Sequence, residues 1–127
     1  MSSKTIIITK NAPAPIGPYN QGVKVSNLLF VSGQIALDPI TSTIIAKDVE
    51  EETHQVMVNI GAILQEAGLD FSNIVKTSIF LSDMNNFGKV NEVYGSYFES
   101  NFPARETVEV SRLPKDVNVE ISVIAHC

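Results

Sequence analysis

Apolar and polar residues alternate most regularly near the C-terminal end of this chain, where Val117, Val119, Ile121 and Val123 occupy every second position. A period of two is that of a half-buried strand, so residues 117–125 are expected to form one. Residues 107–112 carry a shorter run of the same kind. Leu113-Pro114-Lys115-Asp116 between them has turn chemistry, which predicts an antiparallel hairpin. Upstream, the β-branched run 4–10 is a strand, ended by a proline-rich extended loop over 11–18. Residues 22–26 and 28–32 make a hairpin turning at Ser26-Asn27, residues 38–42 are a turn, 43–46 add a short strand, and 74–81 form an apolar central strand.

The period changes to that of a helix in two places. Asp48 opens the first, with Glu51 three residues on as a capping box and Glu50 to Glu52 suiting the helix dipole. Val49, Val56, Ile60, Ile63, Leu64 and Ala67 make its apolar stripe, and Gly68 ends it. The second runs over 85–100, with Phe87, Val90, Tyr94, Tyr97 and Phe98 buried. The order β-β-β-α-β-α-β-β implies an α+β layer with both helices on one face of a mixed sheet. The other face keeps apolar residues, so association through it is expected.

The C-terminal hairpin also sorts the charges. Val108 and Val110 share a face with the valine row, which leaves Arg105, Thr107, Glu109, Glu120 and Ser122 on the other, with Glu120 opposite Glu109 and Arg105 at the mouth. A solvated face with weak ion pairs has this pattern. So does a site in which Arg105 clamps a carboxylate by its fork and Glu120 handles a proton or a water. Five further residues have two readings each. Tyr19, after the rigid loop, is either a wet-edged packing residue or the wall of a pocket. Ser32 and Gly33 at a strand end form a bulge or allow close approach of a ligand. Asn91, on the flank of the second helix's stripe, bonds local backbone or presents its amide to a cleft. His54 has no second ligand at i+4 and reads as a surface residue rather than a metal site.

Composition narrows the class. With 127 residues the chain is one domain, 1–127, and 44% hydrophobic against 18% charged residues suits a globular fold. Nine basic against fourteen acidic residues give a net charge of −5 with no basic run, which disfavours nucleic-acid binding. Cys127 is the single cysteine, pointing to a reducing compartment. No stretch approaches a signal sequence or a membrane span, so a soluble, cytoplasmic protein is expected.

Five blocks in order, IGPYNQGV from Ile16, LLFVSGQIALDP from Leu28, the stretch AGLDFSNIVKTSIFLSDMNNFGKVNEVY from Ala67, FPARETVEV from Phe102 and LPKDVNVEISVIA from Leu113, resemble the RidA family, also called YjgF/YER057c/UK114. The resemblance implies a chorismate-mutase-like fold assembled as a homotrimer, with a central β-barrel and clefts between neighbouring subunits. It implies a 2-iminobutanoate/2-iminopropanoate deaminase, which hydrolyses enamine and imine products of dehydratases to 2-oxo acids and ammonia without a metal or cofactor. By the same resemblance Arg105 binds the substrate carboxylate and Glu120 positions the attacking water. Tyr19, Ser32, Gly33, Phe87 and Asn91 line the pocket. Many members have a Ser-Cys pair where this chain has Glu106-Thr107, so a thiol role is unsupported here. Thr107 would contribute its backbone N–H, and the pair would narrow or recharge the cleft. Two other readings remain: an endoribonuclease that inhibits translation, as some relatives are described, and a non-catalytic small-carboxylate binder or chaperone-like protein. The paired Arg105 and Glu120 favour chemistry over binding alone.

Overall fold

Strands rich in valine and isoleucine build one mixed sheet. The computed structural model, which describes residues 3–127, contains β1 (Thr5–Ile7), β2 (Gly22–Val25), β3 (Leu28–Gln34), β4 (Ile74–Leu81), β5 (Ala104–Glu109) and β6 (Val119–His126). Their spatial order is β1-β2-β3-β6-β4-β5. Two helices, α1 (Val49–Glu66) and α2 (Phe87–Gly95), complete the α+β fold expected from the sequence.

Local chemistry explains the helix ends. The Asp48 carboxylate accepts from the Glu51 N–H at 2.8 Å and caps α1. At the other end Gly68 takes φ +77°, and the N–H groups of Gly68 and Leu69 donate to Gln65 and Leu64 carbonyls at 2.9 Å each, a Schellman stop. Helix α2 is shorter than the apolar stripe suggested. A 3-10 turn, Met84–Asn86, precedes it, and Tyr97 and Phe98 lie beyond its end, where they stack with Phe71 and Tyr94. Strand β1 is also shorter than predicted, and residues 43–46 give only an isolated bridge between Leu37 and Ile44.

The predicted C-terminal hairpin does not form. β4 lies between β5 and β6, parallel to the first and antiparallel to the second. The sequence β4-α2-β5 is a strand–helix–strand unit, whose crossover brings the second strand back parallel to the first. From β5 the chain then steps over β4 through nine residues, 110–118, which is too long for a tight hairpin. Its 3-10 turn, Pro114–Asp116, holds Lys115 and Asp116 both at φ 56°.

This insertion decides which side chains share a face. Thr77 pairs with Arg105 and Val123, and Ile79 with Thr107 and Ile121, so Arg105 and Thr107 lie on the helix side. Phe80 pairs with Glu120 and Val108, and Ser78 with Glu106 and Ser122, so these lie on the opposite side. The helix side is the main core, where Leu29, Ile79, Leu81, Val119 and Ile121 pack with Val56, Met57, Ile60, Ile63 and Leu64 of α1. The opposite face leaves Ile6, Leu28, Phe30 and Val108 exposed.

Ile121 is fully buried at the middle of this core. Ile121→Ala should lower unfolding free energy by about 2–5 kcal/mol, read from urea titration, because the cavity cannot collapse against a central strand.

Candidate active site

On the face away from the helices, a cleft of about 340 Å³ opens where β3 leaves its partner. β3 follows β6 in register up to Val31, then shifts so that Gln34 pairs with Ile121. Ser32 and Gly33 lie in the irregularity, and Glu120 of β6 reaches over them. A Cβ placed on Gly33 would come within 2.9 Å of the Glu120 carboxyl carbon and closer still to Oε2. Only glycine leaves room for that carboxylate. Burial in the cleft pushes the Glu120 carboxyl above its ordinary range. Glu109, expected from the sequence to stand opposite Glu120, lies on the other face and accepts from the Met84 N–H at 2.8 Å.

The proline-rich loop forms the cleft's outer wall through Pro13, Ala14, Ile16 and Tyr19. The Tyr19 hydroxyl accepts from the Ile16 N–H at 3.2 Å, which folds the ring back on its own loop. Gln21, which sequence reading passed over, holds that loop. Its side chain is buried, accepts from Thr9 N–H at 2.7 Å, and donates to the carbonyls of Thr9 at 3.0 Å and Pro13 at 2.8 Å. The Ser32 hydroxyl donates to the Asn20 carbonyl at 2.5 Å, so it fastens the loop to β3.

A second constellation lies across the sheet at the β5 edge. The Arg105 guanidinium stands 5.2 Å from the Tyr94 ring centre and 5.7 Å from that of Phe87. Two aromatic faces orient a planar cation while leaving its N–H groups free. Among the described residues Arg105 makes no ion pair. Tyr94 is itself fixed by donating to Thr77 Oγ1 at 2.9 Å. Asn91 follows Phe87 by four residues on α2, hence on the same flank. Thr107, two residues from Arg105 on the same face, has a buried Oγ1 with no hydrogen-bond partner among the described residues.

The expected site residues therefore divide into two groups. Tyr19, Ser32, Gly33 and Glu120 come together in one cleft; Arg105, Phe87, Asn91 and Thr107 gather on the other side. The sequence-based placing of Arg105, Thr107 and Glu120 on one face is corrected by the inserted β4. Glu106 points away from Thr107 and lies with Lys76, at 3.0 Å, and Ser78. His54 is exposed, its Nδ1 2.9 Å from the Tyr97 hydroxyl.

Fold and sequence together define the class. Residues 9–127 match the family described as Endoribonuclease L-PSP. A RutC family protein of Synechocystis sp. is 57% identical, over 94% of this chain and 94% of its own. The 2-iminobutanoate/2-iminopropanoate deaminase of Mus musculus is 47% identical, over 96% of this chain and 90% of its own. The crystal structure of E. coli TdcF with bound serine superposes with a TM-score of 0.93 at 43% identity, over 97% of this chain and 98% of that one. The chain belongs to the Endoribonuclease L-PSP family, also called YjgF or RidA.

The raised Glu120 pKa carries a stability consequence. A carboxyl whose folded pKa exceeds its unfolded value stabilises the fold below the ordinary carboxylate range, and that contribution is lost as pH rises through the folded pKa. Glu120→Gln stays neutral throughout. Its stability should match that of the parent at the acid end and exceed it increasingly towards neutral pH, as measured by urea unfolding over a pH series.

Proposed function

We propose that this protein hydrolyses 2-imino and 2-enamino acids, such as 2-iminobutanoate and 2-iminopropanoate, to 2-oxo acids and ammonia. The observation that carries the reading is a guanidinium set against two rings with no ion pair among the described residues, in a chain whose cleft on the other face presents a carboxyl of raised pKa. Arg105 takes the substrate carboxylate bidentately and fixes the planar C=N beside it. The substrate reacts as the iminium, which an enamine becomes once its β-carbon takes a proton. Ionised Glu120 takes a proton from water as the water oxygen bonds to the iminium carbon and the C=N pair moves onto nitrogen, giving a neutral carbinolamine. Glu120 then returns that proton to nitrogen, the C–N bond breaks as the hydroxyl oxygen closes C=O, and the hydroxyl proton passes to Glu120 and from there to the departing ammonia. A carboxyl with raised pKa is a stronger base towards the water proton than an ordinary carboxylate. Phe87 and Asn91 border the carboxylate end; Tyr19, Ser32 and Gly33 border the acid; Thr107 offers its backbone. The serine bound by TdcF carries the same carboxylate and α-nitrogen as such a substrate.

Because Arg105 and Glu120 face opposite sides of one sheet, a single copy does not present both to one small molecule. The reading therefore includes association, as a homotrimer in which the Glu120 face of one copy meets the β5 edge of the next. The exposed Leu28, Phe30 and Val108 supply apolar area for it.

The family's endoribonuclease name has less support in this chain. RNA cleavage by general acid–base chemistry calls for titrating groups poised on the ribose and leaving oxygen. His54 and His126 line neither constellation, and the net charge is −5.

The test is a coupled assay in which a dehydratase acts on threonine and 2-oxobutanoate release is followed with semicarbazide competing for the imine. The chain should accelerate release, and Arg105→Ala or Glu120→Ala should each lower kcat/KM by ~10²-fold or more. Co-refolding the two inactive variants in equal amounts should restore about a quarter of parental activity if each cleft draws its two residues from different copies of a closed ring. No acceleration by the parent protein would refute the deaminase reading. No recovery on mixing would refute the shared cleft.

A further inference from the structure

Helix α1 buries three polar residues; Thr53 donates to the Val49 carbonyl at 2.7 Å within the helix, and the other two bond outside it. Glu52 and Asn59 are seven residues apart, two turns of helix, and both are fully buried. A carboxylate removed from water is costly unless its oxygens are hydrogen-bonded. Glu52 is bonded three times: it accepts from the Asn118 N–H at 2.8 Å, the Asn118 Nδ2 at 2.8 Å and the Val119 N–H at 3.1 Å. Those donors are the last loop residue before β6 and its first residue, one peptide ahead of Glu120. Asn118 also accepts at its carbonyl from the Ser82 N–H at 3.1 Å, so the start of β6 is tied to both α1 and the end of β4. From the same stripe, Asn59 donates to the carbonyls of Ile35 at 3.1 Å and Leu37 at 3.0 Å, two residues that line the cleft.

We infer that Glu52 is a positioning residue: its carboxylate fixes the backbone where β6 begins, and through it the direction of Glu120 over Gly33 and the Pro114 wall of the cleft. A leucine or methionine at this position would serve the core at lower desolvation cost, but neither can hold two consecutive N–H groups at a set distance. Without that grip, the two consecutive residues at positive φ, Lys115 and Asp116, leave the loop free to relax and carry Val119 with it. The catalytic meaning of this positioning rests on the deaminase reading; the geometric claim does not.

The experiment compares Glu52→Met, which fills the space without acceptors, with Glu52→Gln, which keeps an acceptor for both backbone N–H groups. The Glu120 carboxyl is titrated by carbon-13 NMR in the full-length assembled protein, and kcat and KM are measured on the imine. Tyr19 is the other titratable side chain lining this cleft, and Phe80 is the register neighbour of Glu120 on β4. In Glu52→Met the Glu120 pKa should fall towards the ordinary carboxylate range, and kcat should drop about tenfold or more with KM changed less than about twofold. Glu52→Gln also removes the charge, yet should keep the Glu120 pKa of the parent and kcat within about threefold, which separates geometry from electrostatics. If Glu52→Met does not fold, Glu52→Asp retains charge with a shorter reach and should show the same downward shift. Glu120 titrating as in the parent protein in folded Glu52→Met or Glu52→Asp overturns the inference. So does Glu52→Gln shifting as far as Glu52→Met. The titration needs no substrate, so it decides the matter even if the parent hydrolyses no imine, a result that would count against the deaminase reading alone.

Discussion

Backbone N–H and C=O groups that leave a sheet ladder inside a protein must find other partners, and this fold leaves the ladder at three places around one cleft. The proline-rich loop is satisfied by Gln21, the segment after β3 by Asn59 and the start of β6 by Glu52. All three side chains are buried, and each reaches backbone at least eight positions away in sequence. The same bonds that make the irregular segments tolerable to the core also set the walls of the Glu120 cleft. Helix α1 contributes two of them, so its packing against the sheet and the shape of the cleft are one mechanical problem.

Glu120 shows how that scaffold is used. A half-buried carboxyl beside a backbone is unfavourable for folding, and an apolar residue or a glutamine would be easier to accommodate. Gly33 is its counterpart, since the register shift between Val31 and Gln34 brings the β3 backbone under the carboxyl and any Cβ there would expel it. The second constellation has its own unfavourable group in the Thr107 Oγ1, which has no partner among the described residues. Costs of this kind are found where polar groups are held for use rather than for stability.

Much of this was legible in the sequence because it is local. The Asp48 cap, the Gly68 stop, the Ser26-Asn27 turn and the valine row of β6 each follow from residues within a few positions of one another. The pairing of strands is not local, and the turn-like Leu113-Pro114-Lys115-Asp116 has the chemistry of a loop that joins neighbours although it does not. The strand–helix–strand order 74–109 carried the opposite signal, a parallel crossover that places β5 on the far side of β4. Period two still sorted each strand correctly; the error lay in which strands met. Glu52 was legible as a first-turn acid suited to the helix dipole, but its real partners stand 66 and 67 residues away. Nothing within a helical turn of it announces them.

The Glu106-Thr107 pair illustrates the same alternation on β5. Adjacent residues on a strand face opposite ways, so two neighbouring substitutions act in two environments. Thr107 joins Arg105 on the helix side, whereas Glu106 joins Ser78, Ser122 and Lys76 on the face with exposed Phe30 and Val108. The hydrogen bond from Ser78, then Lys76, holds the Glu106 carboxyl below its ordinary range, so it remains ionised. Its charge is answered within its own chain and stands across the sheet from Arg105. Within one copy, Glu106 therefore cannot recharge the surroundings of that guanidinium. On the bare face the Lys76–Glu106 pair is a polar contact set among exposed apolar side chains. Of the two only Thr107 shares a face with Arg105, and it does so with a hydroxyl that has no partner among the described residues.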